Sequence, residues 1–111
     1  MGLDTYIYKE IIKPESEEIF DKLIGIDKER EEILYWRKNY ELLEWFSNEL
    51  DKRIENFELY EITKENFVNF LNALKSKELK TNTPLTDISV ITKLLKEMDF
   101  KKCKFFFYNW W

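Results

Sequence analysis

The side chains that most often catalyse reactions near neutral pH are scarce in this sequence. Histidine is absent, which removes the commonest general base and the nucleophile systems that depend on one. The single cysteine, Cys103, stands among Lys101, Lys102 and Lys104, and reactive cysteines often have such cationic neighbours. A packed or merely exposed thiol is the simpler interpretation, because no histidine is present to activate it. We therefore predict that the protein is not an enzyme.

Metal and phosphate sites are not predicted either. Zinc would have one soft ligand, Cys103, and no histidine. The acidic neighbours Glu17–Glu18 and Glu31–Glu32 point apart in a helix or a strand, which disfavours a Mg²⁺ or Ca²⁺ site. The two glycines, Gly2 and Gly25, lie too far apart for a phosphate-binding loop. We predict no cofactor and no metal, with an enzyme or nucleotide-signal binder that uses carboxylates and lysines as one alternative.

Aromatic residues are the most prominent feature of the composition. They make up 17% of the 111 residues, and Trp and Tyr are enriched at the centres of protein interfaces. Rings stand beside cations in the middle of the chain and again near its end. The two final tryptophans either project towards a partner or fold back onto the edge of the sheet. We predict that the partner contacts are made by Trp36, Arg37, Lys38, Tyr108, Trp110 and Trp111.

Single-stranded nucleic acid is the second alternative, because bases stack on aromatic rings beside cations. Residues 36–38 and 101–108 supply that mixture. The net charge of −4 is not that of a general nucleic-acid binder. The charge is also uneven: residues 1–32 carry ten acidic and five basic groups, a net of −5, and residues 86–111 carry three and five, a net of +2. A protein partner is the leading prediction.

Length and apolar patterning indicate one domain in a reducing compartment. A chain of 111 residues is the usual size of a single domain. No apolar run approaches the roughly 20 residues that span a bilayer, and the opening MGLDTYIYKE lacks the features of a signal peptide. One cysteine leaves no intrachain disulfide, as is typical of reducing compartments. We predict a cytoplasmic protein with one domain over 1–111 and no membrane association; its oligomeric state is not predicted.

The first part of the chain predicts a strand followed by a helix. Residues 3–9 alternate between two faces, with Tyr6 and Tyr8 on the face opposite Ile7. A proline and three glutamates in a first turn then predict a helix over 14–24. A strand and a helix in succession are the first unit of an α+β fold.

The stretch from residue 31 to 50 is the one around which the remaining elements are expected to pack. Its consecutive bulky residues, ILYW, predict a second strand over 31–36. Large residues at steps of three and four then predict an amphipathic helix over 38–53. A single helix over 28–54 is the alternative, because Glu, Arg and Lys all favour helix.

The second half predicts two more strands and two more helices. Alternation predicts a strand over 57–62, and Thr63 is a natural N-cap for the helix after it. The polar residues 75–84 predict a loop. The predicted apolar stripes of the third and fourth helices are Phe67, Phe70, Leu71 and Leu74, and Ile88, Ile91, Leu95 and Met98 with Leu94 beside them.

The end of the chain completes the predicted fold. Thr86 or Asp87 is expected to cap the fourth helix. Consecutive apolar residues over 104–109 predict a central strand, either covered on both faces or covered on one and sticky on the other. The sequence thus predicts a single α+β domain with a mostly antiparallel sheet of three to four strands packed with about four helices.

Three segments resemble a set of small proteins encoded by phages and prophages. The opening MGLDTYIYK is similar to MGLDMYLYK, the central YWRKNYELLEWF resembles YWRKAN-x-IH-x-WF, and FFFYNWW is similar to a closing FxYxSxW-like run. Thr5 stands where that set usually has Met, and Leu43 stands where it usually has His. The resemblance implies a phage or prophage origin. By analogy with such proteins it implies a binding protein that inhibits a host protein, such as an anti-CRISPR-like factor acting on a defence nuclease complex.

Overall fold

The computed structural model describes residues 2–12 and 30–111, which form four strands and three helices. In chain order these are β1 (Asp4–Ile11), β2 (Arg30–Arg37), α1 (Tyr40–Glu49), β3 (Leu59–Ile62), α2 (Lys64–Lys75), α3 (Pro84–Glu97) and β4 (Cys103–Trp110). The predicted α+β class is confirmed, with three helices in the described ranges instead of about four. The helix predicted over 14–24 lies outside the described residues.

The strands form one sheet in the order β2-β1-β4-β3, and every neighbouring pair is antiparallel. β4 lies between β1 and β3, so the prediction of a central final strand is confirmed. Paired residues in an antiparallel sheet point to the same side, which defines two faces. The inner face includes Ile7, Phe105 and Phe107, all fully buried. The outer face includes Tyr6 and Tyr8 of β1, as the alternation predicts.

β2 confirms the predicted second strand and excludes the alternative of a single helix over 28–54. The chain leaves β2 through Lys38, whose φ of 55° is left-handed and interrupts regular structure. Asn39 then caps α1, because its side chain accepts a hydrogen bond of 3.3 Å from the Leu42 N–H. α1 is shorter than the predicted 38–53, since the chain turns again at Asp51, which has φ 51°.

The predicted N-cap of α2 is confirmed. The Thr63 hydroxyl accepts from the Asn66 N–H at 3.2 Å, and the Asn66 side chain accepts from the Thr63 N–H at 2.9 Å. These two bonds satisfy donors that a helix start otherwise leaves unpaired. β3 begins two residues later than predicted, because Phe57 has φ 64° and turns the chain before the strand.

α3 corrects the predicted cap at Thr86 or Asp87. The helix begins at Pro84 after an N-cap at Thr83, and proline suits a first turn, where its missing N–H costs nothing. Asp87 is buried, and its Oδ1 accepts from the Thr83 hydroxyl at 3.0 Å. The buried side of the helix is therefore rotated from the predicted stripe. Asp87, Ile91 and Leu94 are buried, and Ile88, Leu95 and Met98 are half-buried.

α1 and α2 pack on the inner face of the sheet through aromatic contacts, and α3 packs on α2 and reaches the sheet through the hydrogen bond from Trp36 to Asp87. The ring of Phe46 on α1 stacks on Phe107 with centroids 4.3 Å apart. On α2, Phe67 meets Phe105 edge to face at 5.2 Å. Such rings bury a large area per residue, so a few of them suffice to build the core. All the described helices thus lie on one side of the sheet.

Candidate functional site

The outer face of the sheet carries adjacent aromatic side chains from three strands. The register aligns Tyr35 of β2, Tyr6 of β1 and Tyr108 of β4 in one row, which continues to Leu59 of β3. The next row aligns Glu32, Tyr8, Phe106 and Glu61. We call the set formed by Tyr6, Tyr8, Tyr35, Phe106 and Tyr108 the tyrosine face. It follows from strand alternation, which sends every second residue to the same side.

The four tyrosine rings of this face form a contact cluster. Tyr6 is at the centre, with ring centroids 5.4 Å from Tyr8, 5.0 Å from Tyr35 and 6.3 Å from Tyr108. The Tyr6 and Tyr8 planes are within 10° of parallel. Aromatic pairs at these separations attract one another, so the cluster holds its side chains in place. A partner would meet an ordered surface and would lose little side-chain entropy there.

The hydroxyl groups of Tyr6, Tyr8 and Tyr35 have raised pKa values. Tyr35 donates a hydrogen bond of 2.6 Å to Asp4 Oδ1, and that bond is the main cause of its raised pKa. Desolvation by burial is the main cause of the raised pKa of Tyr6 and of Tyr8, and the nearby Glu32 carboxylate adds to both. These three hydroxyls are therefore protonated at neutral pH.

Charged side chains frame the face at both ends in nearly equal numbers. One end row aligns Arg37, Asp4 and Trp110, and the opposite end row aligns Arg30, Glu10 and Lys104. Arg30 Nε lies 3.2 Å from Glu10 Oε2. Glu32 and Glu61 lie at the sides of the face. The outer positions of the described strands therefore hold four carboxylates and three cations. The frame is close to neutral.

The end of β4 is clamped by one side chain. Asn56 Nδ2 donates to the Trp111 carbonyl oxygen at 2.8 Å, and Asn56 Oδ1 accepts from the Trp111 N–H at 3.0 Å. The Phe57 N–H donates to the Asn109 carbonyl oxygen at 2.9 Å. Trp110 and Trp111 nevertheless remain 50% and 41% exposed. The tryptophans are thus held in place without being buried.

The structure places the six predicted contact residues at different kinds of position. Arg37, Tyr108 and Trp110 lie together on the outer face of the sheet, while Lys38 and Trp111 flank it as exposed residues. The prediction that Trp36 lies on this surface is wrong, since its side chain is 2% exposed. Trp36 is on the inner face of β2, where its ring meets Phe70 at 6.0 Å. The remaining five residues are accessible to a partner.

Sequence reasoning missed most of the tyrosine face. Alternation in the first strand already separates Tyr6 and Tyr8 from the apolar side, which is a usable signal. Nothing local, however, indicates that Tyr35 and Tyr108 pair on either side of Tyr6. The contact of these three residues depends on the strand order and register, which bring together residues that are far apart in the chain.

A shallow groove beside Trp45 is one concave feature of the described residues that lies near charged groups. It has a volume of about 500 Å³ and is lined by Glu41, Glu44, Trp45, Asn48, Glu78, Leu79 and Lys80. Its carboxylates are exposed, unlike those of a catalytic site, which are usually buried and convergent. Within residues 2–12 and 30–111, no group of three or more His, Cys, Asp or Glu could hold a metal ion. Nor does a helix of the described ranges have the length and apolarity needed to cross a membrane.

The chain was compared with protein families, with curated proteins and with solved structures. No family model, no curated protein and no solved structure matches it. A function has to be inferred from the tyrosine face, its charged frame and the clamped end of β4.

Proposed function

We propose that this chain is a non-enzymatic binding protein whose tyrosine face, together with Trp110, docks on another protein. The observation that carries the proposal is the row Tyr35–Tyr6–Tyr108 on a sheet face to which the described helices contribute no cover. Tyr35 is exposed and Tyr6 and Tyr108 are half-buried, and contiguous accessible aromatic surface is characteristic of interaction sites. Tyrosine suits such a site because it provides a large contact area and a hydroxyl donor with few rotatable bonds.

The charges around the tyrosine face favour a protein as its binding partner over a nucleic acid. Binding of single strands combines stacking rings with an excess of cations along the backbone path. Here the outer positions of the described strands hold four carboxylates and three cations. Protein interfaces, in contrast, combine an aromatic centre with a mixed polar rim. The tyrosine face with its near-neutral frame has that composition.

The biological setting we propose is a phage or prophage protein that blocks a host protein in the host cytoplasm. The support for this part is the resemblance of the opening, central and closing segments to small phage-encoded proteins. A defence nuclease complex is the kind of target that such a protein would inhibit, in the manner of an anti-CRISPR factor. Blocking requires no catalysis, because occupation of a functional surface is sufficient.

The test is affinity capture from a lysate of the bacterial host, with the captured protein identified by mass spectrometry. Tyr35→Ala removes an exposed ring from the tyrosine face, and Tyr40→Ala removes a still more exposed ring from the start of α1. We expect Tyr35→Ala to weaken binding of the captured protein by about 30-fold, the usual effect of losing an interface hot spot. Tyr40→Ala should leave it unchanged.

Trp110→Ala extends the same test to the end of β4. We expect it to weaken binding, while near-ultraviolet circular dichroism shows that each variant keeps its fold. Equal capture by wild type, Tyr35→Ala and Trp110→Ala would place the contact elsewhere. Failure of the folded wild type to capture any protein would contradict the proposed function itself.

A further inference from the structure

The end of the sheet where β1 stops and β4 begins is rich in lysine. Lys101 and Lys102 are in the turn between α3 and β4, and Lys104 follows on the outer face. Lys93 and Lys96 are exposed on the last turns of α3, three residues apart and so on one side of the helix. We call these five residues the lysine patch.

Within residues 2–12 and 30–111, the lysine patch makes no ion pair. The ion pairs of the described residues are Lys9–Glu31, Arg30–Glu10 and Arg53–Glu55, and none involves the lysine patch. Asp99, in the same turn, is occupied by the Lys101 N–H, which donates to its Oδ1 at 2.8 Å. Five lysines against the two carboxylates of Glu97 and Asp99 leave an excess of positive charge at this end of the sheet.

Two exposed isoleucines adjoin the lysines. Ile11 pairs with Cys103 in the sheet, and the Ile12 N–H donates to the Lys102 carbonyl oxygen at 2.8 Å. Their side chains are 60% and 41% exposed. Aliphatic side chains held beside cations offer a partner both apolar contact and charge. A ligand that matched this surface would carry carboxylates and apolar groups together.

We propose that the lysine patch with Ile11 and Ile12 is a docking surface for an acidic, partly apolar segment of the protein partner. This inference rests on the proposed function and adds the chemistry of the partner to it. Glu97 and Asp99 lie among the lysines, and they would repel a uniform polyanion such as a nucleic-acid backbone or an anionic lipid surface. A peptide can instead place its carboxylates beside the lysines and its apolar groups on the isoleucines. Charge complementarity thus selects a protein segment.

The experiment is a titration of the isotope-labelled protein followed by backbone amide chemical shifts. The probe is a short synthetic peptide of alternating glutamate and leucine. Two matched peptides replace either every glutamate by glutamine or every leucine by serine. We expect the acidic apolar peptide to shift the signals of residues 11–12 and 101–104, and both replacements to weaken its binding.

A pair of matched variants locates the effect. Lys101→Gln with Lys102→Gln removes two charges of the patch, and Lys64→Gln with Lys75→Gln removes two exposed charges on α2. Exposed ion pairs are individually weak, so the first pair should reduce the affinity for the peptide by about three- to tenfold. The second pair should leave the affinity and the pattern of shifts unchanged.

Several results would overturn the inference. These are absence of binding, equal binding of the glutamine or serine peptide, and equal loss in both double variants. Tighter binding of oligo(dT) or of phosphatidylserine vesicles at the same residues would reassign the patch to nucleic acid or to membrane. The tyrosine-face variants test different side chains. Loss of capture in Tyr35→Ala without any peptide binding would therefore leave the proposed function standing and remove this inference alone.

Discussion

The indole of Trp36 lies against a buried carboxylate on α3. Its Nε1–H donates to Asp87 Oδ2 at 2.9 Å, and Asp87 also accepts from the hydroxyls of Thr81 and Thr83. A carboxylate buried without donors would be strongly unfavourable, so each of these bonds contributes to the native state. Trp36 is therefore an anchor between β2 and α3, which explains why it is absent from the surface.

We expect Trp36→Phe to lower the free energy of unfolding by about 1–3 kcal/mol. The substitution leaves a ring in place but removes the N–H donor, and the cost of leaving a buried polar group short of a partner lies in that range. The measurement is urea unfolding followed by circular dichroism. Trp110→Phe is the matched control, since Trp110 is half-exposed and such surface changes stay within about 0.5 kcal/mol. If Trp36→Phe and Trp110→Phe unfold at the same urea concentration, Trp36 does not anchor β2 to α3.

At the scale of elements, the end of β4 depends on a side chain from the segment between α1 and β3. The Asn56 amide makes two hydrogen bonds to the Trp111 backbone, which is how a neighbouring strand would hold it. β3 begins at Leu59, which pairs with Tyr108. The Asn56 clamp extends that edge to the last residue of the chain.

We expect Asn56→Ala to release the last two residues. Two exposed hydrogen bonds are lost, so the free energy of unfolding should fall by only about 1 kcal/mol. The ¹⁵N heteronuclear Overhauser effects of Trp110 and Trp111 should drop to values typical of a mobile end. Asn72→Ala, an exposed change on α2, should not alter them. Unchanged values in Asn56→Ala would show that the indoles hold the chain end by themselves.

At the scale of the whole molecule, the tyrosine face links stability to alkaline pH. Tyr6, Tyr8 and Tyr35 have raised pKa values in the folded protein. The pKa of a tyrosine in the unfolded chain is about 10. A raised folded pKa contributes stability that is fully present below the unfolded pKa and is lost as the pH rises through the folded pKa. The hydroxyls of Tyr6, Tyr8 and Tyr35 thus favour folding while they are protonated and oppose it when they ionise.

We expect the urea midpoint to fall as the pH rises above about 10. Asp4→Asn replaces the carboxylate that holds the Tyr35 proton, so it should lower the pKa of Tyr35, read from the tyrosine Cζ signal in a ¹³C titration. Asp51→Asn, an exposed change in the turn after α1, is the matched control. The same Tyr35 titration in Asp4→Asn and wild type would contradict the assigned cause.

Much of the local structure was determined by the sequence itself. Alternation over 3–9 predicted a strand with the correct faces, and bulky residues over 31–36 predicted a strand where helix propensity favoured a helix. Thr63 was correctly predicted as a cap. These features depend on sterics and hydrogen bonds among residues that are close in the chain. The predicted cap at Thr86 or Asp87 is wrong, because the helix begins at Pro84 and the Asp87 carboxylate is buried.

The candidate site was decided by the tertiary structure. Strand order and register bring Tyr6, Tyr35 and Tyr108 together, and they send Trp36 inward from the position beside Tyr35. A shift of one residue in the register of β2 would exchange these faces, and no residue near Trp36 in sequence specifies that register. It is set by the core on one side of the sheet, because only one alignment buries Trp36 against Phe70 and Asp87.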